Sequence, residues 1–409
     1  MQNKKIELLA PAGDFDKMKV AIEAGADAVY LGGKKFSLRS FSNNFSDEEL
    51  IKAIEYIHEN SKKAYVTLNI FAHVYHLDEI KKFLKFLQSI KPDGIIISDL
   101  GVLSLANELA PDIPIHLSTQ ANTTNFYSIN FLKQFNVKRF NLARELSFDE
   151  IKEIRDNTNA ELEIFIHGAM CISYSGRCLL SAVLTNRSAN LGECTHPCRW
   201  NFRLIEESRP GEKFDIQEDE YGSYVLNSKD LCLIDFLPDI IDANIDSIKI
   251  EGRMKSLNYI STVVSVYRKA IDIVYEDKNL FFDKLDDLKK ELKSADNRDF
   301  TTAFFNKTPH SKMQNYSAIK YNRQYQTIAI VRRIYEKTWI LLEVKNHFSL
   351  NDTIEIFDFK NKRWHNFKVK QMFNIFFMPT KIANPNDYIF LPYSKDIKIN
   401  TIFRKKLYK

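Results

Sequence analysis

Long apolar runs are missing from this sequence of 409 residues. No window offers the roughly eighteen consecutive apolar residues that a membrane-spanning helix needs. The start, MQNKKIELLAPAGDFDK, does not resemble a signal peptide, because its apolar run is short and is interrupted by Asp14. We therefore expect a cytoplasmic protein without a membrane partner, in a reducing compartment where structural disulfides are uncommon.

Cysteine is also scarce, with five residues in the whole chain. Four of the five are clustered in sequence, namely Cys171, Cys178, Cys194 and Cys198. Four thiols gathered in a reducing compartment indicate a metal site. The fifth, Cys232, lies in the apolar pattern NSKDLCLIDFLPDII and is predicted to be a buried core residue.

Three kinds of site compete for the clustered cysteines. A catalytic thiol needs one cysteine and a base, and it leaves the other three cysteines unexplained. Structural zinc is usually held by two close Cys-x-x-Cys pairs, which spacings of seven, sixteen and four residues do not provide. A 4Fe–4S cluster tolerates irregular spacing, because its ligands only have to converge on one cube. The residue types and spacing therefore favour a cluster over zinc.

Short β-rich runs alternate with amphipathic helical patterns through most of the chain. The eight runs are IELLAPAG (6–13), DAVYLGG (27–33), AYVTLNI (64–70), GIIISD (94–99), PIHLSTQ (114–120), RFNLARE (139–145), LEIFIHG (162–168) and SIKIEGR (247–253). Most are largely apolar, as expected for a parallel sheet that is covered on both faces. Eight strand–helix units predict an α/β fold, a (β/α)8 TIM-like barrel, with an open doubly wound sheet as the alternative.

A long insertion follows the seventh predicted strand. It spans residues 169–226, between Gly168 and the next predicted helix at 227–241, and it contains the four clustered cysteines. An insertion after a barrel strand lies on the C-terminal face of the barrel, where active sites are found. We therefore predict that the cysteines lie at the mouth of the barrel.

Polar residues at the ends of the predicted strands would face the same mouth. The candidates for catalysis are Gln120, Arg144, His167, Glu251 and Arg253, joined by Arg177 from the insertion. Arginines in such a position can bind the carboxylates of a small anionic co-substrate or an RNA phosphate. Alternatively, Glu251 and Arg144 form a structural ion pair at the barrel rim.

Charge is unevenly distributed along the chain. Residues 311–409 contain 19 Lys and Arg against 7 Asp and Glu, a balance of +12, whereas the remaining residues balance at −7. A basic region joined to an acidic one favours a polyanionic partner, most simply nucleic acid. A solvated basic face that has no partner is the alternative.

The basic region is predicted to be a separate domain. Its runs TIAIVRRIYE, TWILLEVK, DTIEIFDF, WHNFKVKQMF, DYIFLPYS and TIFRKKLYK are short and β-rich, which favours a small antiparallel β-barrel. The predicted RNA-binding cations are Arg332, Arg333, Lys362, Arg363, Arg404, Lys405 and Lys406. They are interleaved with Trp364, Phe367 and Tyr408, whose rings can stack on unpaired bases. The predicted ranges are 1–276 for the barrel, 277–316 for a helix and linker, and 317–409 for the C-terminal domain.

The segment EIFIHGAMCISYSGRCLLS, residues 163–181, resembles the signature of peptidase family U32, the collagenase-like proteases. ELLAPAG, AVYLGGKKFSLRSF, CTHPCRW and SIKIEGRMKS also resemble this family, so the similarity runs through the barrel and on to the C-terminal region. Within the family the chain is most similar to the tRNA hydroxylation branch. This resemblance implies prephenate-dependent conversion of the wobble uridine of tRNA to 5-hydroxyuridine. It also implies a 4Fe–4S cluster on four cysteines, with Cys198 as the fourth ligand and Cys232 in reserve.

The name of the family raises peptide-bond hydrolysis as an alternative. The sequence contains neither the Gly-x-Ser-x-Gly elbow of serine hydrolases nor the His-Glu-x-x-His motif of zinc proteases. A peptidase therefore ranks second, and a non-catalytic RNA-binding protein ranks third, because the barrel would then be only a scaffold. We expect a tRNA-modifying enzyme with a cluster-bearing barrel and a basic, tRNA-binding C-terminal domain.

Overall fold

The computed structural model describes residues 5–37, 43–170, 178–197, 218–219, 222–223, 228–307, 322–395 and 397–407. The chain forms two compact units. The first comprises residues 1–15, 27–254 and 297–321, and the second comprises residues 16–26, 255–296 and 322–409. The second unit therefore combines the C-terminal region with two segments that precede it in sequence.

Eight parallel strands close into a barrel in the first unit. They are β1 (Glu7–Pro11), β2 (Ala28–Gly32), β3 (Lys63–Leu68), β4 (Gly94–Ile97), β5 (Ile115–Leu117), β6 (Val137–Asn141), β7 (Glu161–Ala169) and β11 (Ser247–Ile250). Strand β11 pairs in parallel with both β7 and β1, which closes the ring. Each of the eight predicted runs overlaps one of these strands, so the predicted (β/α)8 barrel is confirmed.

Helices follow the barrel strands along the chain. Those of the first unit are α2 (Asp47–Glu59), α3 (Leu77–Ile90), α4 (Leu100–Leu109), α5 (Phe126–Leu132), α6 (Phe148–Asp156), α7 (Leu180–Thr185) and α8 (Leu237–Asp242). Helix α2 begins at a capping box, in which Ser46 Oγ accepts from Glu49 N at 3.2 Å and the Glu49 carboxylate accepts from Ser46 N at 2.8 Å. Ser147 and Glu150 form the same motif at the start of α6. These caps satisfy backbone N–H groups that have no partner within the helix.

Two short strands extend the sheet beside β7. Strand β10 (Asp230–Cys232) runs antiparallel to the end of β7, and β12 (Phe300–Thr301) pairs in parallel with β10. The prediction of one helix over 227–241 is therefore wrong in its first half, because α8 begins only at Leu237. Pairing with β7 joins residues that are far apart in sequence, and a local apolar pattern does not reveal it. Strands β8 (Glu218–Asp219) and β9 (Gly222–Ser223) pair with each other.

The second unit is built on a six-stranded antiparallel sheet. Its strands are β13 (Tyr325–Tyr335), β14 (Trp339–Val344), β16 (Thr353–Asp358), β17 (Arg363–Lys368), β19 (Tyr388–Pro392) and β20 (Ile402–Lys406), in the order β17-β16-β20-β13-β14-β19. Strands β15 (Phe348–Ser349) and β18 (Ile382–Ala383) form a separate pair. The antiparallel strands predicted for this region are confirmed.

Helical segments complete the second unit. They are α1 (Phe15–Glu23), which belongs to this unit from its second residue, α9 (Leu257–Glu276) and α10 (Lys278–Lys293). Helix α1 is followed by Gly25, whose φ of 108° lies in the left-handed region that favours glycine. Of the helices in the described part of the chain, none is long and apolar enough to cross a membrane.

Candidate active site

The lumen of the barrel holds a network of buried charges. The Arg139 guanidinium on β6 donates to the carboxylates of Glu7 on β1 and Glu163 on β7, and all three residues are buried. Lys249 Nζ on β11 donates to the same Glu163 at 2.9 Å, and the Tyr65 hydroxyl on β3 donates to Glu7 at 2.8 Å. Side chains of non-neighbouring strands can meet only inside the ring. The contacts therefore place this network in the lumen.

Burial and mutual pairing set the protonation of the lumen. Burial acts to raise the pKa of Glu7, but the charge of Arg139 and its hydrogen bond outweigh burial and hold that pKa below its usual value. Burial lowers the pKa of Lys249, although the Glu163 carboxylate opposes the change. Burial, together with the charges of Arg139 and Lys249, keeps the pKa of His116 well below its usual range. The lumen therefore combines a paired ionic network with a neutral imidazole.

Arg253 is anchored at the C-terminal end of the barrel strands. It follows β11, is buried, and donates from Nη1 to Thr67 Oγ1 at 3.2 Å and from Nη2 to Ser37 Oγ at 2.6 Å. Gly32, at the end of β2, makes room for the guanidinium, because a Cβ atom on Gly32 would lie 2.2 Å from Arg253 Nη1. The structure thus fixes a cation at the predicted mouth and explains the glycine beside it.

Two other predicted mouth residues meet where β7 pairs with β11: His167 lies on β7, and Glu251 directly follows β11. Glu251 N donates to the carbonyl oxygen of His167 at 2.9 Å, and both residues are buried. The His167 ring meets the ring of Phe300 edge to face, with centroids 5.3 Å apart. The closure of β7 onto β11 therefore brings together two residues that the sequence separates widely.

Gln120 and Arg144 carry polar atoms that have no partner among the described residues at the same end of the barrel. Gln120 lies in the turn after β5, and its Oε1 atom is buried without a hydrogen-bond partner among the described residues. The Arg144 guanidinium stacks over the Phe165 ring at 3.8 Å and donates from Nη1 to the Ala169 carbonyl at 2.7 Å, whereas its buried Nε lacks a partner among the described residues. A bound polar molecule would satisfy such atoms.

The clustered cysteines are described only in part. Cys171, Arg177 and Cys198 lie outside the described residues, and Cys178 and Cys194 are half-buried. Among the described residues no group of three or more His, Cys, Asp or Glu side chains is arranged to hold a metal.

A hydrogen-bonded link joins the segments that carry two of these thiols. The Ser181 hydroxyl accepts from Thr195 N at 3.1 Å and lies 3.0 Å from Thr195 Oγ1. Ser181 lies on the turn of α7 that follows Cys178, and Thr195 comes directly after Cys194. Soft thiolate donors held in one region are the ligand type of an iron–sulfur cluster. The link holds the segments of Cys178 and Cys194 together, and the iron–sulfur cluster itself stays a prediction.

Cys232 occupies a different position from the one predicted from the sequence. It is buried, as predicted, but it lies on β10 directly opposite His167 of β7. Strand β7 ends at Ala169 and the chain continues to Cys171. The reserve ligand is thus beside the strand that leads into the cysteine-bearing insertion.

The predicted RNA-binding cations fall into two groups in the structure. Arg404 is buried, and its guanidinium pairs with Glu355 and stacks on Tyr325 and Trp364, each at 3.8 Å. Its predicted contact with RNA is corrected on this ground, because the charge is already used inside the second unit. Arg332 pairs with Asp16 and Glu343, and Lys405 pairs with Asp352. The cations that are exposed are Arg333, Arg363 and Lys406, whereas Lys362 is half-buried.

Two of the three aromatic residues predicted to stack on bases make contacts within the second unit instead. The Trp364 indole donates to Thr262 Oγ1 at 3.1 Å, and Phe367 packs against the apolar core of the sheet. Tyr408 lies outside the described residues. The structure exposes other rings of the second unit instead, and the sequence analysis did not single these out.

A closed (β/α)8 ring with polar residues and an insertion at its C-terminal face is the architecture of barrel enzymes. The chain matches Peptidase family U32 over residues 13–315 and Peptidase family U32 C-terminal domain over residues 323–404. This chain belongs to peptidase family U32, which confirms the resemblance.

Curated relatives carry names of different kinds. The chain is 41% identical over 355 residues to tRNA hydroxylation protein P1 of Bacillus subtilis, covering 87% of this chain and 84% of that protein. It is 40% identical to an uncharacterized protease of Methanocaldococcus jannaschii, covering 86% of both chains. It is 34% identical to the 23S rRNA 5-hydroxycytidine C2501 synthase of Escherichia coli, covering 68% of this chain and 41% of that protein.

Proposed function

We propose that this protein is a tRNA-modifying enzyme that converts the wobble uridine of tRNA to 5-hydroxyuridine. The observation that carries the proposal is the barrel mouth, where Arg253 is anchored and polar atoms of Gln120 and Arg144 have no partner among the described residues. The names of two relatives, which specify tRNA hydroxylation and synthesis of 5-hydroxycytidine in rRNA, support hydroxylation of an RNA pyrimidine. The reaction replaces C5–H by C5–OH, a two-electron oxidation that needs an oxygen donor.

The residues of the mouth divide between binding and proton transfer in this proposal. Arg253, Arg144 and Gln120 bind a small anionic co-substrate, for which prephenate, with its two carboxylates, is the candidate. Arg177 joins them from the insertion. His167, on β7, and Glu251, directly after the adjacent β11, are the groups suited to accept the proton that leaves C5.

The cysteines would hold a 4Fe–4S cluster. Cys171, Cys178 and Cys194 supply three ligands, and either Cys198 or Cys232 supplies the fourth. The position of Cys232, opposite His167 at the end of β7, supports its participation. When bound, such a cluster supplies one-electron redox chemistry at the mouth.

The function can be tested by nucleoside analysis of cellular tRNA. Expression of the chain in a bacterial strain that lacks its own tRNA uridine hydroxylases should restore 5-hydroxyuridine and its derivatives, measured by mass spectrometry of digested tRNA. Arg253→Gln should abolish this product, whereas Tyr127→Ala, an exposed change on α5, should not. Unmodified tRNA in the presence of abundant wild-type protein would refute the proposal. New 5-hydroxycytidine in rRNA would instead identify rRNA as the substrate.

The cluster and its ligands need a separate measurement. Protein purified without oxygen should contain iron and acid-labile sulfide in similar amounts, and Cys178→Ala should lose both. Cys198→Ala and Cys232→Ala, analysed side by side, should differ, because only one of the two residues is the fourth ligand. Colourless protein with stoichiometric zinc would refute the cluster. Peptide cleavage that stops after one substitution at the mouth would instead favour the peptidase.

A further inference from the structure

The outer face of the C-terminal sheet carries an exposed aromatic surface. We use this name for the exposed or half-buried rings of Tyr335, Trp339, Phe373, Phe376 and Phe377, together with the buried ring of Phe390, which Tyr335 and Phe377 contact. Trp339 meets Phe373 and Phe377 edge to face, with centroids 5.2 and 5.4 Å apart. The ring centroids of Phe377 and Phe390 are 4.6 Å apart, and those of Phe390 and Tyr335 are 5.6 Å apart. The six residues come from β13, β14, β19 and the turn before β18, so the surface exists only in the folded sheet.

The strand register places these rings on one face. Tyr335 pairs with Trp339, and Leu341 pairs with both Arg333 and Phe390. Alternate residues of a strand share a face, so Arg333 and Tyr335 lie on the face that carries Trp339 and Phe390. The intervening residues, such as Ile340, point into the apolar core.

An ordered turn holds the most exposed ring away from the core. Phe376 is 73% exposed. The Asn374 side-chain oxygen accepts from the backbone N–H groups of Phe376 at 2.9 Å and Met378 at 3.1 Å, and Phe377 N donates to the Asn374 carbonyl at 3.0 Å. Phe373 and Phe390 exchange two backbone hydrogen bonds, which fix the base of the turn to β19. The exposure of these apolar side chains is therefore built into the fold.

Two exposed cations accompany the aromatic surface. Arg333 lies on the same face of β13, two residues before Tyr335, and Lys337 lies in the tight turn that joins β13 to β14. Neither cation forms an ion pair within the described part of the chain. Glu343, on the next strand, is already neutralised by Arg332 and Lys345. The charge available beside the rings is thus positive, apart from the exposed Glu336 of the turn.

We infer that the aromatic surface binds an unpaired segment of RNA, with bases stacked on Phe376 and Tyr335 and phosphates on Arg333 and Lys337. Every base has a face that stacks on an aromatic ring, and cations beside the rings neutralise the backbone. The flanking cations and the +12 balance of residues 311–409 favour RNA over an apolar protein partner. The inference rests on the proposed function, because it names the part of the tRNA substrate that the second unit contacts. The binding tolerates different sequences, since stacking reads no base edge.

Fluorescence anisotropy with a single-stranded oligouridylate can test the inference on the full chain. For a probe of about ten nucleotides, which suits typical site sizes, Phe376→Ala and Tyr335→Ala should each weaken binding roughly tenfold. Arg333→Gln should weaken binding and also make it less dependent on salt, because one phosphate contact is lost. The matched control is Tyr127→Ala, which removes a ring that is 76% exposed in the first unit and should leave affinity unchanged.

Other outcomes separate this inference from the proposed function. If Phe376→Ala and Tyr335→Ala bind the probe as wild type does, the inference fails, even where cellular tRNA is still hydroxylated. If both variants lose RNA binding but wild-type protein yields no hydroxylated nucleoside, the result supports RNA binding by the aromatic surface and refutes the proposed reaction. Self-association of wild type that Phe376→Ala abolishes, with unchanged RNA affinity, would assign the surface to a second copy of the chain. Ultraviolet crosslinking of the probe to the peptide containing Phe376 would support the inference directly.

Discussion

The two units of the molecule use charge in opposite ways. The barrel buries Glu7, Arg139, Glu163 and Lys249 in its lumen, where they pair with one another. The second unit fills its interior with apolar residues, from Ile328 to Phe403, and leaves cations such as Arg333 and Lys406 exposed. There are exceptions in the second unit: Arg404 is buried and paired, and Arg268, Asp296 and Asp358 are buried as well.

This difference indicates a division of tasks between the units. Buried ion pairs rarely add stability over apolar packing, so a lumen built from them suggests polarity required for another purpose. An apolar core beneath exposed cations and rings is instead the arrangement of a binding module. We therefore assign the chemistry to the barrel and RNA contacts to the second unit.

Breaking the lumen network should have the largest effect. Glu163→Ala leaves the Lys249 ammonium and part of the Arg139 guanidinium without a carboxylate inside the barrel. We expect a loss of about 3–5 kcal/mol in the free energy of unfolding, since an uncompensated charge stays buried. Urea unfolding followed by circular dichroism measures it. The control Glu79→Ala, which removes an exposed ion-paired carboxylate, should not move the midpoint. An unchanged midpoint for Glu163→Ala would show that the Glu163 carboxylate does not stabilise the buried charges of Lys249 and Arg139.

A second pair of variants compares neighbouring cations of β20. Arg404→Ala removes the buried partner of Glu355 and should destabilise the second unit by about 3 kcal/mol. Lys406→Ala removes an exposed charge, so it should leave thermal unfolding unchanged while tRNA binding weakens modestly. Both properties can be measured on the same preparations. Equal stability of the two variants would contradict the assignment of Arg404 to the interior.

The smallest expected effect is a change in the pH dependence of barrel stability. His116 has a pKa well below its usual range in the folded barrel, whereas the unfolded chain binds a proton below about pH 6.5. The contribution of the neutral His116 to the free energy of unfolding is therefore fully present above that pH. It falls as the pH decreases, by up to about 1.4 kcal/mol per pH unit.

The matched comparison for this prediction uses two histidine variants. His116→Gln should flatten the pH dependence of urea unfolding between pH 7 and 5, whatever its effect on absolute stability. The exposed His347→Gln should retain the wild-type dependence. A slope unaltered by His116→Gln would mean that His116 gains a proton without unfolding.

The fold was largely predictable because its signals are local. Each strand run depends on residues close in sequence and overlaps a strand of the ring, and the Ser46–Glu49 capping box at the start of α2 is likewise a local signal. The lumen network was missed, because Glu7, Arg139 and Lys249 meet only when the ring closes. Cys232 was assigned to a helix for the same reason, since β10 forms by pairing with β7.

The candidate binding residues were harder to predict than the fold. Arg404 and Lys406 belong to one basic run and share a face of β20, but Arg404 lies opposite Glu355 of β16, whereas Lys406 is the exposed last residue of the strand. The aromatic surface combines Tyr335 and Trp339, at the two ends of one tight turn, with rings from residues 373–377 and with Phe390, which are distant from that turn in sequence. A predictable signal existed in the run NIFFMP, whose apolar residues are followed by a proline and fit no strand alternation.

The division of tasks can be tested most directly by overexpression. In a strain without its own tRNA uridine hydroxylases, Arg253→Gln and Arg333→Gln are each expressed at low and at high level, and 5-hydroxyuridine in tRNA is quantified. We predict that Arg333→Gln regains the wild-type content at high level, because excess protein offsets weak binding. Arg253→Gln should remain inactive at both levels while its purified form binds tRNA with wild-type affinity. Rescue of Arg253→Gln by overexpression, or failure to rescue Arg333→Gln, would contradict the account.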